Sequence, residues 1–133
     1  NFGMLKNFNL PMLDKLLPAL LQDLEERGLL DSTLVIVMGE MGRSPRVNGK
    51  AGREHWPQCG FSLLAGGGTK QGTVFGTTDK EAGYPVDHPV RPCDLIATIY
   101  HLLGIDPHTL IHDRTGRPFP IARGGDPVQG VIA

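Results

Sequence analysis

Apolar residues recur at helical spacing near the start of the chain. Within residues 11–27, leucines occur every three or four positions, with charged residues between them. This pattern predicts one amphipathic helix. Pro18 lies inside the segment and should either kink the helix or mark a second start, and Gly28 should end it.

A second helical pattern lies near the other end. Apolar residues fall on one face of residues 92–103. Pro92 at the first position, Asp94 in the first turn and Gly104 after the last are typical boundary signals. His101 falls off the apolar face and is expected at the surface.

Two continuous apolar runs, residues 33–38 and 61–65, predict buried strands. The first follows the leucine-rich helix after a short link, which resembles half of a βαβ unit. We therefore expect an α/β fold with these strands as neighbours in one sheet. Residues 71–79 predict an exposed strand or hairpin, 80–89 a loop and 113–118 a turn, with the remainder over the surface.

Composition limits the protein classes. Thirteen basic residues face fourteen acidic ones among 133, with no run of either sign. This balance argues against a nucleic-acid surface or a polybasic membrane patch. No uncharged apolar segment approaches the roughly 20 residues that span a bilayer. Residues 1–6 lack the regions of a signal peptide, and we expect the chain to be a truncated domain.

Cys59 and Cys93 have neither a metal-site spacing nor the pattern of a disulfide framework. Two small buried hydrophobic residues are favoured over a single bridge.

The candidate chemistry lies on the segment that joins the two predicted strands. Glu40 follows the first strand between glycines, and His55 stands beside Trp56 near the far end of the segment. Because both lie on one loop between buried strands, we expect them to reach the same end of the sheet. A carboxylate and an imidazole suit zinc or manganese.

Two arginines, Arg43 and Arg53, flank this pair. A metal with arginines is a common way to hold phosphate or sulfate esters. Plainer alternatives stay open: a solvated Glu40, a His55 packed against Trp56, and two solvated arginines.

Gly66, Gly67 and Gly68 precede Thr69 and Lys70. The order differs from that of a phosphate-binding P-loop, because Lys follows Thr and the four-residue spacer is missing. A turn is favoured over a nucleotide site here.

Several motifs, in order along the chain, strongly resemble the carboxyl-terminal part of the sulfatase-like domain of unknown function 1501 (DUF1501). The resemblance covers nearly the whole chain. The motifs are Gly28-Leu29-Leu30-Asp31-Ser32-Thr33-Leu34-Val35, Gly39-Glu40-Met41-Gly42-Arg43-Ser44-Pro45, Gly52-Arg53-Glu54-His55-Trp56-Pro57, Leu64-Ala65-Gly66-Gly67-Gly68, and Asp94 to Tyr100 with Gly104-Ile105-Asp106.

The resemblance implies an alkaline phosphatase-like fold, in which helices flank a doubly wound, mostly parallel sheet. It also implies a secreted or periplasmic bacterial protein. Glu40 stands where the superfamily has the Asp of an Asp-His metal pair, and His55 stands where a later His ligand follows. Met41 departs from the pattern, since a thioether at the second ligand position is a poor partner for a hard ion.

The expected function of the parent domain is therefore metal-dependent hydrolysis of phosphate or sulfate esters. Glu40 and His55 would be ligands of zinc, manganese or, less typically, calcium, and Arg43 and Arg53 would bind the anion. The fragment alone is expected to be inactive, because the superfamily's nucleophile and upstream ligands have no counterpart in it. The alternative is a non-catalytic binding or structural module, for example for sulfated polysaccharide. An exposed sheet edge also predicts homo-oligomers.

Overall fold

The computed structural model describes residues 2–133. It is a mixed α/β structure whose strands form four separate two-stranded sheets. The helices are α1 (Phe2–Met4), α2 (Leu10–Glu26) and α3 (Pro92–Leu102), and the strands are β1 (Val35–Met38), β2 (Gly42–Arg43), β3 (His55–Trp56), β4 (Ser62–Ala65), β5 (Thr77–Thr78), β6 (Pro85–Asp87), β7 (Leu110–His112) and β8 (Pro118–Pro120).

The leucine-rich helix forms close to where the sequence predicts it. A π-helical segment, Leu5–Asn9, joins α1 to α2. Helix α2 continues through Pro18, so the alternative of a second start is wrong. It ends in a Schellman motif, in which Gly28 N–H donates to Glu25 O and Leu29 N–H donates to Leu24 O. Gly28 has φ +66 there, a conformation that glycine adopts without strain.

The two predicted central strands are neighbours, as expected. β1 pairs with β4, and Val35 lies opposite Ala65 at one end while Met38 lies opposite Ser62 at the other. The pairing is antiparallel. The connection between them contains a hairpin and no crossover helix, and parallel neighbours usually need such a helix.

The other three sheets are also antiparallel ribbons: β2 with β3, β5 with β6, and β7 with β8. The mostly parallel, doubly wound sheet predicted for the chain is therefore not found among residues 2–133. Strand β6 lies inside residues 80–89, which were predicted as a loop. The turn predicted at 113–118 joins β7 to β8.

Helix α3 carries the small core. Its residues Ala97 and Thr98 are fully buried, as is Ala122. Thr98 Oγ accepts a hydrogen bond from Val128 N–H at 2.9 Å, which ties the chain after β8 to this helix. Gly125 lies against the carbonyl of Cys93, where a Cβ would overlap it. Both cysteines are free and half-buried.

The chain exposes more surface than a compact monomer. Its accessible surface is 9908 Å², whereas a folded monomer of 14.4 kDa exposes roughly 6,800 Å². Much of the excess is apolar and includes Leu10, Leu13, Leu16 and Leu20 of α2, each more than 40% exposed. The apolar face of α2 is therefore uncovered. None of the helices described between residues 2 and 133 is long and apolar enough to span a membrane.

Candidate metal and anion site

The candidate residues lie on the β2–β3 hairpin and the turn before it. Arg43 lies directly opposite His55, and Gly42 lies opposite Trp56. Ser44 N–H extends the ladder by donating to Glu54 O at 2.9 Å. The segment predicted as an irregular loop is therefore an ordered ribbon that brings together residues ten to fourteen positions apart.

Asn48 closes the tip of this hairpin. Its side-chain oxygen accepts from the backbone N–H groups of Lys50 and Gly52, both at 3.0 Å, and its amide donates to the carboxylate of Glu54. Asn48 N–H also donates to Gly52 O at 2.8 Å. Asparagine is favoured in such turns because its side chain bonds to backbone a few residues on.

A close backbone contact holds the base of the hairpin. A Cβ on Gly42 would overlap the carbonyl group of Cys59. Only glycine therefore allows the segment after β3 to pass so near β2. This contact holds β2 against the segment that leads into β4.

Trp56 anchors the hairpin to the β5–β6 ribbon. Its indole Nε1 donates to Gly83 O at 2.6 Å, and its ring meets Tyr84 edge-on with centroids 5.8 Å apart. Asp79 supports this turn by accepting from Gly83 N–H at 2.7 Å. The tryptophan thus packs against Tyr84.

His55 and Glu40 are both exposed. No hydrogen bond or ion pair within residues 2–133 engages either side chain. The alternative of a His55 packed against Trp56 is not observed, since His55 is exposed and the aromatic partner of Trp56 is Tyr84. Met41, next to Glu40, is half-buried, which is the ordinary environment of a thioether.

The two candidate arginines differ in their bonds. Arg53 Nη1 donates to the carbonyl oxygens of Ser44 and Pro45, at 2.7 and 2.5 Å. Arg43 Nη1 makes one long bond, 3.4 Å, to Arg53 O. Arg53 therefore braces the hairpin through backbone contacts, while the guanidinium of Arg43 is less engaged.

Glu40 and His55 are suitable types of ligand for a divalent ion, but they are few in number. A carboxylate and an imidazole match zinc and manganese. No group of three or more His, Cys, Asp or Glu side chains in the described part of the chain is arranged to hold a metal ion. Glu40 and His55 can thus supply at most two protein ligands of a site.

The glycine-rich segment after β4 forms a turn. Gly66, Gly67 and Gly68 all have positive φ, and Gly67 N–H donates to Leu30 O at 3.0 Å while Thr69 N–H donates to Gly66 O at 3.0 Å. These N–H groups are used within the protein, which supports the turn over a nucleotide cradle.

Sequence reasoning missed a charge pair at the start of α3. Arg91 donates to Asp94 through Nε at 2.9 Å and through Nη2 at 2.7 Å. Asp94 also accepts from Arg91 N–H and Asp126 N–H. The Arg91 side chain, together with these N–H groups, holds the pKa of Asp94 well below its usual range. The sequence does carry a signal for this pair, because Asp94 follows Arg91 at the three-residue spacing of a capping box.

Comparison with known proteins gives one match. The family model described as "Protein of unknown function (DUF1501)" matches residues 3–132. Searches of curated proteins and of solved structures found no significant match.

Proposed function

This chain belongs to the DUF1501 family of proteins of unknown function, and on that premise we propose that its β2–β3 hairpin supplies ligands to a metal-dependent hydrolase of phosphate or sulfate esters. The chain contributes the carboxyl-terminal part of that hydrolase domain. Glu40 and His55 bind the metal, and Arg43 binds the anionic group of the substrate.

One observation carries the proposal: the register of β2 and β3. Arg43 and His55 are direct partners, and directly opposed residues of an antiparallel pair have Cα atoms about 4.5–5.5 Å apart. Glu40 precedes β2 by two positions. An exposed imidazole and an exposed guanidinium thus stand opposite each other on the ribbon, and the exposed carboxylate of Glu40 lies in the turn before it.

These groups have complementary chemistry. A bound divalent metal polarises an ester oxygen and withdraws charge from it. The planar guanidinium of Arg43 can donate two parallel hydrogen bonds to a phosphate or sulfate group. Arg53, Asn48 and Trp56 hold the hairpin through the bonds described above, and this keeps Arg43 opposite His55.

The sulfatase-like and alkaline phosphatase-like resemblance supports the same function. It assigns metal ligation to the positions of Glu40 and His55, and we propose with it a secreted or periplasmic setting. Met41 argues for a reduced ligand set, because the position beside Glu40 offers sulfur in place of imidazole.

The second candidate is a non-catalytic module that binds an acidic ligand, such as a sulfated polysaccharide, without metal. Two observations favour it over a complete enzyme: Met41 at the ligand position, and a set of two ligands where at least three protein ligands are typical. The two candidates differ in whether metal and anion bind together.

Calorimetric titration of the chain with Zn²⁺ or Mn²⁺, with and without inorganic phosphate, tests the proposal. Metal should raise phosphate affinity, and phosphate should raise metal affinity by the same factor. His55→Asn should abolish the coupling. Arg43→Gln should weaken phosphate binding about tenfold, since a charge-assisted hydrogen bond contributes roughly 1.5–3 kcal/mol, and should leave metal binding unchanged.

Arg46→Gln is the matched control, because Arg46 is exposed on the same hairpin and its side chain has no bonded role in residues 2–133. It should behave as the unchanged protein. Phosphate binding that is lost in Arg43→Gln, and so belongs to the β2–β3 hairpin, but is equally strong with and without metal would favour the non-catalytic module and contradict the hydrolase.

A further inference from the structure

A cleft lies beside the β7–β8 hairpin, on elements separate from the β2–β3 hairpin. Its volume is about 520 Å³. It is bordered by the turn between the two strands and by the tight turn after β8. The lining residues are Asp113, Arg117, Phe119, Pro120, Arg123 and Gly124.

The cleft lies in a basic part of a slightly acidic chain. Residues 110–124 contain three arginines, Arg114, Arg117 and Arg123, against one acid, Asp113. This segment carries a net charge of +2, with histidine neutral, in a chain whose net charge is −1. The local field therefore favours an anion.

The carboxylate of Asp113 accepts hydrogen bonds from residues of the same turn. One carboxylate oxygen accepts from the Thr115 hydroxyl at 2.6 Å, from Thr115 N–H at 2.8 Å and from Arg117 N–H at 3.0 Å. The Thr115 hydroxyl and these N–H groups lower the pKa of Asp113. Its second oxygen lies 3.4 Å from Arg117 Nε, which orients Arg117 and leaves its other donors available.

Arg123 is held by its backbone and by an aromatic ring. Its N–H donates to Pro120 O at 2.9 Å, and its guanidinium carbon lies 5.4 Å from the centroid of Phe119. No acid within residues 2–133 forms an ion pair with it. Its φ of +51 is a conformation that favours glycine. A charged residue is thus placed at a strained position beside the cleft, an arrangement that is frequent at binding sites.

We propose that this cleft binds a phosphate or sulfate group without a metal, with Arg117 and Arg123 as the donors. Phe119 supports the Arg123 guanidinium from one side, so that its edge can face the oxyanion. Arginine suits this ligand because its planar fork matches two oxygens of a tetrahedral anion. The site is independent of the hydrolase proposal, because it shares no residue with the β2–β3 hairpin.

Titration of the chain with inorganic sulfate and inorganic phosphate tests this site. The experiment follows the arginine side-chain NMR signals in the presence of a chelator, at constant ionic strength. Saturable shifts are expected at Arg117 and Arg123. Arg123→Gln should weaken binding about tenfold, the effect expected for losing a charge-assisted bond.

Two further variants keep the test decisive. Arg114→Gln removes the same charge from the same turn but from a residue that does not line the cleft, and it should weaken binding by less than about twofold. Arg123→Gly removes the side chain while relieving the left-handed backbone, so it separates lost binding from lost folding. Equal, non-saturating shifts at all three arginines, or unchanged affinity in both Arg123 variants, would overturn the proposal.

The source of the group is distinguished by repeating the titration with phenyl phosphate and phenyl sulfate. Tighter binding of the esters than of the inorganic ions would identify a group carried on a larger ligand. Equal binding would identify the free ion. Failure of all four anions to saturate the cleft would contradict the site itself.

Discussion

Arg43 and His55 are register partners in the β2–β3 ribbon, although they stand twelve positions apart along the chain. The pairing depends on Gly42, whose missing side chain allows the carbonyl of Cys59 to approach. It also depends on the Asn48 tip and on the anchor that Trp56 makes to Gly83. The candidate site is thus built by backbone contacts that lie outside the candidate residues themselves.

Gly42→Ala should disrupt this arrangement. The added Cβ would overlap the backbone of Cys59, which cannot move as a flexible side chain would, so the hairpin must separate from the following segment. Hydrogen exchange at the Ser44 amide, which donates to Glu54 O, should become at least about tenfold faster, the equivalent of roughly 1.4 kcal/mol.

Gly49→Ala is the control in the same hairpin. A Cβ at Gly49 meets no atom within 4 Å, and the substitution should leave exchange unchanged or slow it slightly, because alanine restricts the unfolded chain. Similar exchange in the two variants would contradict the role assigned to Gly42.

The boundaries of α3 were predictable because they depend on local residues. Pro92, Asp94 and Gly104 mark its ends in the sequence, and the helix runs from Pro92 to Leu102. The β2–β3 ribbon was not predictable. Its strands have two residues each, too few for a hydrophobic period, and its pairing is set by contacts with Cys59 and Gly83.

The orientation of β1 and β4 was also beyond the sequence pattern. A continuous apolar run has the same appearance in a parallel and an antiparallel pair. Glu40 and His55 both lie on the one connection between these paired strands, and that they reach the same end of the sheet stays a prediction. Their ligation of a metal stays a prediction.

Asp94→Asn should destabilise α3. The side-chain accessible surface of Asp94 is 13%, and its carboxylate accepts bonds from Arg91 and Asp126. Loss of such a cap costs about 1–2 kcal/mol. Urea unfolding at pH 7 measures this, with Asp14→Asn on α2 as the control, since no bond to Asp14 occurs in the described residues.

The contribution of Asp94 to the stability of the folded protein should depend on pH. The folded-state pKa of Asp94 is depressed, so its stabilisation is fully present above the unfolded value of about 3.9 and is lost as pH falls toward the folded value. The difference in free energy of unfolding between the unchanged protein and Asp94→Asn should therefore shrink below about pH 4. A difference that stayed constant down to pH 2 would contradict the bonding scheme.

The uncovered face of α2 should drive self-association. Leu16 is 61% exposed and Leu20 is 48% exposed, and an apolar stripe of this kind favours association in water. We expect dimers or larger species in light scattering, with the open strand edges as a second contact. Changing both leucines to Glu should shift the population toward monomer.

Lys15→Glu is the matched control, because it introduces the same side chain at a charged position of the same helix. It should leave association unchanged. A monomeric protein that unfolds cooperatively in calorimetry would contradict the prediction that the exposed apolar face of α2 drives self-association.

Paramagnetic broadening by substoichiometric Mn²⁺ shows whether Glu40 and His55 bind the same metal ion, because this method detects weak sites residue by residue. The amide signals of Glu40, Arg43 and His55 should broaden first, and Glu40→Gln and His55→Asn should each remove this broadening. His101→Asn, at an exposed histidine of α3, should leave it intact. Broadening that begins elsewhere, or that survives both Glu40→Gln and His55→Asn, would contradict the binding of one metal ion by Glu40 and His55.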